Sequence, residues 1–176
     1  LASLHRLGHD VTLICCHSSG QRFVEYGKGI TSLRIPVFPE SLLKNFSYIF
    51  FTFLASFFVL MRKDIDIVYE RGRIFGGIGV MLASLSGVKS VYEMNEPYLD
   101  VPVLLGKFSE NSLLMRLARL WHSTVVSKAS MVTVTHQSFI EHGAAPKNKS
   151  IVITHGVDLH LFGKYHINIR KRHHLN

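Results

Sequence analysis

Residues 109–134 read SENSLLMRLARLWHSTVVSKASMVTV and join a helical pattern to a strand pattern. The leucines of this stretch, Trp121 and Val125 recur at helical spacing, so they fall on one apolar stripe of a helix predicted over 109–129. The β-branched run Met131–Val134 follows almost at once and is typical of a buried strand. A long amphipathic helix leading into a short apolar strand is the repeating unit of an α/β fold.

The same alternation extends over the rest of the chain. Short apolar runs predict strands, and longer periodic segments between them predict helices. The predicted strands are Val11–Ile14, Leu33–Val37, Ile67–Tyr69, Ser90–Glu93, Met131–Val134 and Ile151–Ile153, and the predicted helices lie near 40–63, 75–86, 109–129 and 136–143. Strands that alternate with helices predict an α/β domain with a parallel sheet and helices on both faces.

Composition excludes several classes of protein. Apolar residues make up 47% of the 176 residues, which is too much for a disordered chain. The net charge is +8, but Lys164, Arg170, Lys171 and Arg172 supply half of it, so the charge does not favour a nucleic-acid partner. The only cysteines, Cys15 and Cys16, are neighbours, which on a strand point to opposite faces. We therefore expect no disulfide and a cytoplasmic location.

The two ends resemble interrupted elements. Residues 1–7 have the pattern of the last turns of a helix, and Gly8 stands where a C-cap glycine would. We therefore expect a first strand upstream of Leu1. We assign 1–158 to one incomplete α/β domain and 159–176 to the start of a linker.

The apolar run Phe46–Met61 has sixteen residues and no charge. At about 1.5 Å per residue it covers roughly 24 Å, less than a bilayer core of about 30 Å. Lys44, Tyr48, Thr52 and Ser56 recur every four residues and give a thin polar stripe. The run fits a helix packed against the sheet, a helix lying on a membrane surface over 46–63, or a membrane span.

Polar residues follow the strand predicted at Ile67–Tyr69. Ligands of open α/β sheets bind beyond the carboxyl ends of the strands. Here Glu70, Arg71 and Arg73 precede a glycine-rich segment, so we expect the next helix to offer N–H groups to an anion and the arginines to pair with phosphate or carboxylate. The plainer alternative is a turn with solvated charges, because the spacing matches no phosphate-binding loop.

Two further strand ends carry candidate side chains. After Ser90–Glu93 come Asn95 and Glu96. We expect Glu93 or Glu96 to act as an acid or base, and Asn95 to hold a sugar hydroxyl. After Met131–Val134 we expect Thr135 to cap the next helix and His136 to meet a phosphate. A polar turn and an exposed histidine are the alternatives. No histidine pair has the spacing of a metal site, and the dinucleotide-binding glycine pattern is absent.

Several motifs in order resemble one family. Residues 149–158, KSIVITHGVD, with Phe162 beyond them, are similar to the string "K-I-x-V-I-P-N-G-V-D-x-x-x-F" at the end of the N-terminal domain of family-4-type glycosyltransferases. Leu7–Leu13 resembles "R-G-H-x-V-x-V", Asp66–Gly72 resembles "D-V-V-Y-x-R-G", and Val91–Pro97 is similar to "L-E-V-N-A-P". His155 stands where the family usually has Asn.

The resemblance implies a retaining sugar transferase with two Rossmann-like domains, of which this chain is the acceptor-side half. The donor would be a nucleotide diphosphate sugar and the acceptor a glycan or a lipid-linked molecule, with no cofactor and no metal. Glu70, Arg71, Arg73, Glu93, Asn95 and Glu96 become acceptor-side candidates. Thr135, His136, Gly156 and Asp158 become candidates for the donor phosphate or the hinge.

Without the donor domain we expect the chain to be inactive alone. A lipid-linked acceptor would place it on the inner membrane face. The competing interpretations are a non-catalytic Rossmann-like binding domain and a protein anchored in a membrane by 46–61.

Overall fold

The computed structural model describes residues 2–27, 29–38, 41–62, 64–97, 99–154 and 156. The helices are α1 (Ala2–Arg6), α2 (Ser41–Arg62), α3 (Ile78–Leu85), α4 (Val101–Leu104), α5 (Leu113–Lys128) and α6 (Ser138–Glu141), with a 3-10 turn at Lys147–Lys149. The strands are β1 (Val11–Cys16), β2 (Val24–Gly27), β3 (Ile30–Ile35), β4 (Ile67–Arg71), β5 (Lys89–Met94), β6 (Met131–Val134) and β7 (Ser150–Val152).

The strands form two sheets. The first has the order β1-β3-β2, and the second has the order β4-β5-β6-β7 with every pair parallel. Helices α2, α3 and α5 pack side by side, with α3 against β4 and β5 and α2 against β1 and β3. The predicted α/β class with a parallel sheet flanked by helices is confirmed.

The core lies between the second sheet and α3 and α5. Val80 of α3, Tyr92 of β5, Val125 of α5 and Val132 of β6 are almost completely buried in one cluster. Such close packing requires a small residue where α3 approaches α5. Gly77, with φ of +94°, is that residue, because a Cβ there would overlap the Val125 methyl groups.

The sequence missed one strand and one helix and placed several boundaries wrongly. Strand β2 was missed because it has only four residues, all of them exposed, and it pairs antiparallel to β3. An ion pair of 2.6 Å between Arg34 and Glu25 joins these two strands. Helix α4 is a single turn, too short to show a period. Cys15 and Cys16 are free, as predicted.

Candidate functional site

The carboxyl ends of β4, β5, β6 and β7 meet at one edge of the second sheet because all four strands are parallel. Main-chain bonds join the segments that leave this edge: Gly72 N–H donates to Glu93 O at 2.7 Å, and Ile153 N–H donates to Val134 O at 2.8 Å. Most of the candidate residues therefore come together at one surface. We call it the carboxyl edge and define it by residues 71–73, 93–97, 135–137 and 153–154.

Glu70 differs most from its predicted role. It lies inside β4, and its carboxylate accepts the N–H groups of Gly77 at 2.6 Å and Val80 at 3.1 Å. Burial raises the pKa of this carboxyl, and the backbone donors oppose that shift. The prediction that the α3 amino end offers free N–H groups to an external anion is wrong, since Glu70 already accepts them.

Arg71 also belongs to a strand and does not follow it as predicted, while Glu93 lies inside β5, within the strand predicted at Ser90–Glu93. They are paired in register on β4 and β5, and Glu93 is paired in turn with Thr133 of β6. Residues in one register row face the same side of a sheet. Since Glu70 faces α3, this row faces the opposite side, where Arg71 is exposed and Glu93 is half-buried. A cation and a carboxylate thus lie side by side within the carboxyl edge.

Arg73 is held against α2. Its guanidinium carbon lies 3.8 Å from the centroid of the Tyr48 ring, a cation–π contact. Burial raises the pKa of the Tyr48 hydroxyl, with the charge of Glu70 as the next largest cause. Tyr48 therefore positions Arg73, a role that spacing could not reveal because 25 residues separate the two.

Asn95 carries the clearest unused polar group at the carboxyl edge. Its Oδ1 atom is buried and has no hydrogen-bond partner among the described residues. Its main-chain carbonyl accepts the Thr135 hydroxyl at 3.2 Å, which fixes the loop that presents the side chain. A buried acceptor left unpaired costs about 1–3 kcal/mol. Glu96 is the next residue and is exposed.

Thr135 lacks its predicted role at the start of α6, whereas the phosphate role of His136 stays a prediction. Thr135 does not cap the helix, because its hydroxyl bonds to the Asn95 carbonyl. His136 is exposed, and its Nδ1 lies 2.8 Å from Ser138 Oγ and accepts the Ser138 N–H at 3.2 Å. Gly156 is exposed beyond β7. Asp158 and the segment 159–176 lie outside the described residues.

A groove of about 820 Å³ lies beside the carboxyl edge and was not predicted. It runs between α5 and the α6 segment, and its polar lining includes Glu96, Arg119, His122 and His142. Burial lowers the pKa of the His122 imidazole. These side chains come from three separate segments, so no local motif connects them.

Comparison with known families agrees with this geometry. A glycosyl transferase 4-like domain model matches residues 1–148, which is most of the chain. The chain belongs to the glycosyl transferase 4-like family. No curated protein matches it at a significant level. The parallel sheet β4–β7 and its flanking helices are consistent with a Rossmann-like domain of that family.

Proposed function

We propose that this glycosyltransferase-like domain binds the acceptor in a retaining transfer of a hexose from a nucleotide diphosphate sugar. The acceptor is a glycan or a lipid-linked molecule, and the reaction needs no cofactor and no metal. The chain acts together with a second Rossmann-like domain that holds the donor, and it is inactive alone. Family membership supports sugar transfer.

The observation that carries the proposal is the unpaired Oδ1 of Asn95 at the carboxyl edge. A sugar hydroxyl is a donor that satisfies this atom, and the hydrogen bond orients the acceptor for attack. In the reaction the acceptor oxygen bonds to the anomeric carbon from the face that the diphosphate leaves, so that configuration is retained, and the bond from that carbon to the diphosphate breaks. We assign the hydroxyl proton to Glu96, the exposed carboxylate that follows Asn95 in the chain.

The leaving diphosphate gains negative charge during transfer, and cations or N–H donors stabilise it. Because Glu70 fills the α3 amino end, this stabilisation falls to Arg71 and His136, both exposed at or next to the carboxyl edge. Arg73 is anchored on Tyr48 and contributes a fixed positive charge nearby.

The test uses the complete reading frame that encodes this chain, compared with residues 1–176 alone. Both are incubated with a panel of uridine and guanosine diphosphate sugars and with soluble and lipid-linked acceptors. We expect sugar transfer by the complete protein, with retained anomeric configuration, and none by the isolated chain. Absence of both transfer and donor hydrolysis in the complete protein would contradict the proposal.

A further inference from the structure

Helix α2 buries three of its few polar residues and leaves a large part of its apolar surface exposed. Its polar residues Ser47, Thr52 and Ser56 are buried, with exposures of 6%, 7% and 8%. Five of its six phenylalanines are exposed, with Phe46 at 66% and Phe50 at 57%. A helix packed on a sheet ordinarily buries its apolar stripe and exposes its polar one.

Specific contacts fix this orientation. Ser47 Oγ accepts the Phe38 N–H at 3.1 Å and donates to the Lys44 carbonyl at 3.1 Å. Tyr48 lies under the Arg73 guanidinium. Along its length α2 packs against α3, β1 and β3. The helix therefore cannot roll to bury its aromatic face without losing these contacts.

The exposed face forms one continuous stripe. We call it the α2 stripe and define it by residues spaced three or four apart: Leu43, Phe46, Phe50, Phe53, Phe57 and Met61. From the first to the last residue it extends about 27 Å at 1.5 Å per residue. A contiguous apolar surface of this length on a soluble chain marks an interaction site.

Charges at the two ends indicate which partner fits. The helix contains no Asp or Glu, and Lys44 and Arg62 are both exposed. They are 18 residues apart, about five full turns, so both lie along the same side of the stripe. The Arg62 guanidinium also lies 5.7 Å from the Phe58 ring. Aromatic residues flanked by cations are typical of helices that lie in the headgroup region of an anionic membrane.

Two other occupants fit less well. A second copy of the stripe, in either direction, would bring Lys44 or Arg62 against a like charge, with no acid in α2 to balance it. The segment Leu43–Arg62 is long and apolar enough to cross a bilayer by length and composition. However, a spanning helix would have to leave α3, β1 and β3 and expose buried Thr52 and Ser56 to lipid.

We propose that the α2 stripe docks this domain on an anionic lipid bilayer, with α2 lying in the plane of the surface. The phenylalanines enter the acyl boundary, and Lys44 and Arg62 bind lipid phosphates. This docking is independent of the sugar-transfer proposal, since vesicle binding is measured without a donor or an acceptor.

The experiment is flotation of the chain with two vesicle types, phosphatidylcholine alone and phosphatidylcholine with about one third phosphatidylglycerol. We expect binding to the anionic vesicles that is at least about tenfold stronger and that falls with added salt. Phe46→Ser, Phe50→Ser and Phe53→Ser combined should abolish binding. A matched control combines Leu85→Ser, Leu104→Ser and Leu120→Ser, three exposed leucines outside α2, and should bind like the wild type.

Circular dichroism of each variant separates loss of binding from loss of folding. Lys44→Gln with Arg62→Gln should remove the preference for anionic lipid. Absence of binding to both vesicle types overturns the proposal, as does equal binding by the two triple variants. A concentration-dependent dimer that the phenylalanine variant abolishes, without vesicle binding by the wild type, would assign the stripe to a second copy.

Discussion

Replacing Glu70 by Ala should destabilise the fold although the residue is polar. The change leaves the N–H groups of Gly77 and Val80 without their acceptor. Hydrogen bonds to charged groups contribute about 1.5–3 kcal/mol each, which gives roughly 3–6 kcal/mol for the two. Part of this loss of stability is offset, because burial disfavours the charged form of the carboxyl that the substitution removes. The expected net loss is about 2–4 kcal/mol.

Glu70→Gln should cost less, about 1–2 kcal/mol, because the amide keeps one acceptor oxygen and places an NH₂ against the other donor. Urea unfolding followed by tryptophan fluorescence suits both variants. The chain has one tryptophan, and the Trp121 indole N–H donates to the Gly76 carbonyl at 2.7 Å, next to the affected loop. Glu96→Gln, at an exposed position, serves as the control. A Glu70→Ala variant within about 0.5 kcal/mol of the wild type would refute the assigned role of the carboxylate.

Three further changes test the packing, the titration and the site. Gly77→Ala should lower the free energy of unfolding by about 2–5 kcal/mol, because it adds backbone strain and overlap with Val125. Gly87→Ala is also at positive φ but in open space, so it should cost only the strain, about 1–2 kcal/mol. Equal losses in urea unfolding would contradict the packing argument. Burial lowers the pKa of His122 in the folded state. As pH falls through about 6.5, the unfolded chain therefore binds a proton at this residue before the folded chain does, and the free energy of unfolding decreases. His122→Gln should make the decline of the unfolding free energy between about pH 7.5 and 5.5 shallower. An unchanged slope would contradict the role assigned to His122. Asn95→Ala should leave the free energy of unfolding unchanged or raise it by up to about 1 kcal/mol, because it removes an unpaired buried acceptor. A clear loss of stability would show that the Asn95 Oδ1 accepts a hydrogen bond within the fold.

Strands and helices were predictable where an apolar run or a helical periodicity continues along one segment of the sequence. Met131–Val134 is an apolar β-branched run, and its strand boundaries are confirmed. The long periodic segments likewise became α2 and α5. Glu70 could not be predicted, because a glutamate after an apolar run ordinarily lies in solvent and only the folded position of Gly77 gives it partners. The orientation of α2 was hidden for a similar reason: periodicity locates its two faces but not which face meets the sheet.

The candidate residues were found through a topological rule more than through their chemistry. Strand ends of a parallel sheet converge, so segments after β4, β5 and β6 had to come together. What each side chain does there depends on contacts over long sequence distances, such as Arg73 on Tyr48 and Thr135 on the Asn95 carbonyl. The groove between α5 and α6 likewise depends on residues from separate segments of the chain, so it could not be predicted from a local motif.

The most direct test of the acceptor site is a two-dimensional NMR titration of the chain with methyl glycosides of common hexoses, in the wild type and in Asn95→Ala. The proposed site predicts that amide shift changes cluster at 71–73, 93–97 and 135–137 and disappear in the variant. Shift changes confined to the α5–α6 groove, or identical in the two proteins, would contradict the assignment of the carboxyl edge as the acceptor site.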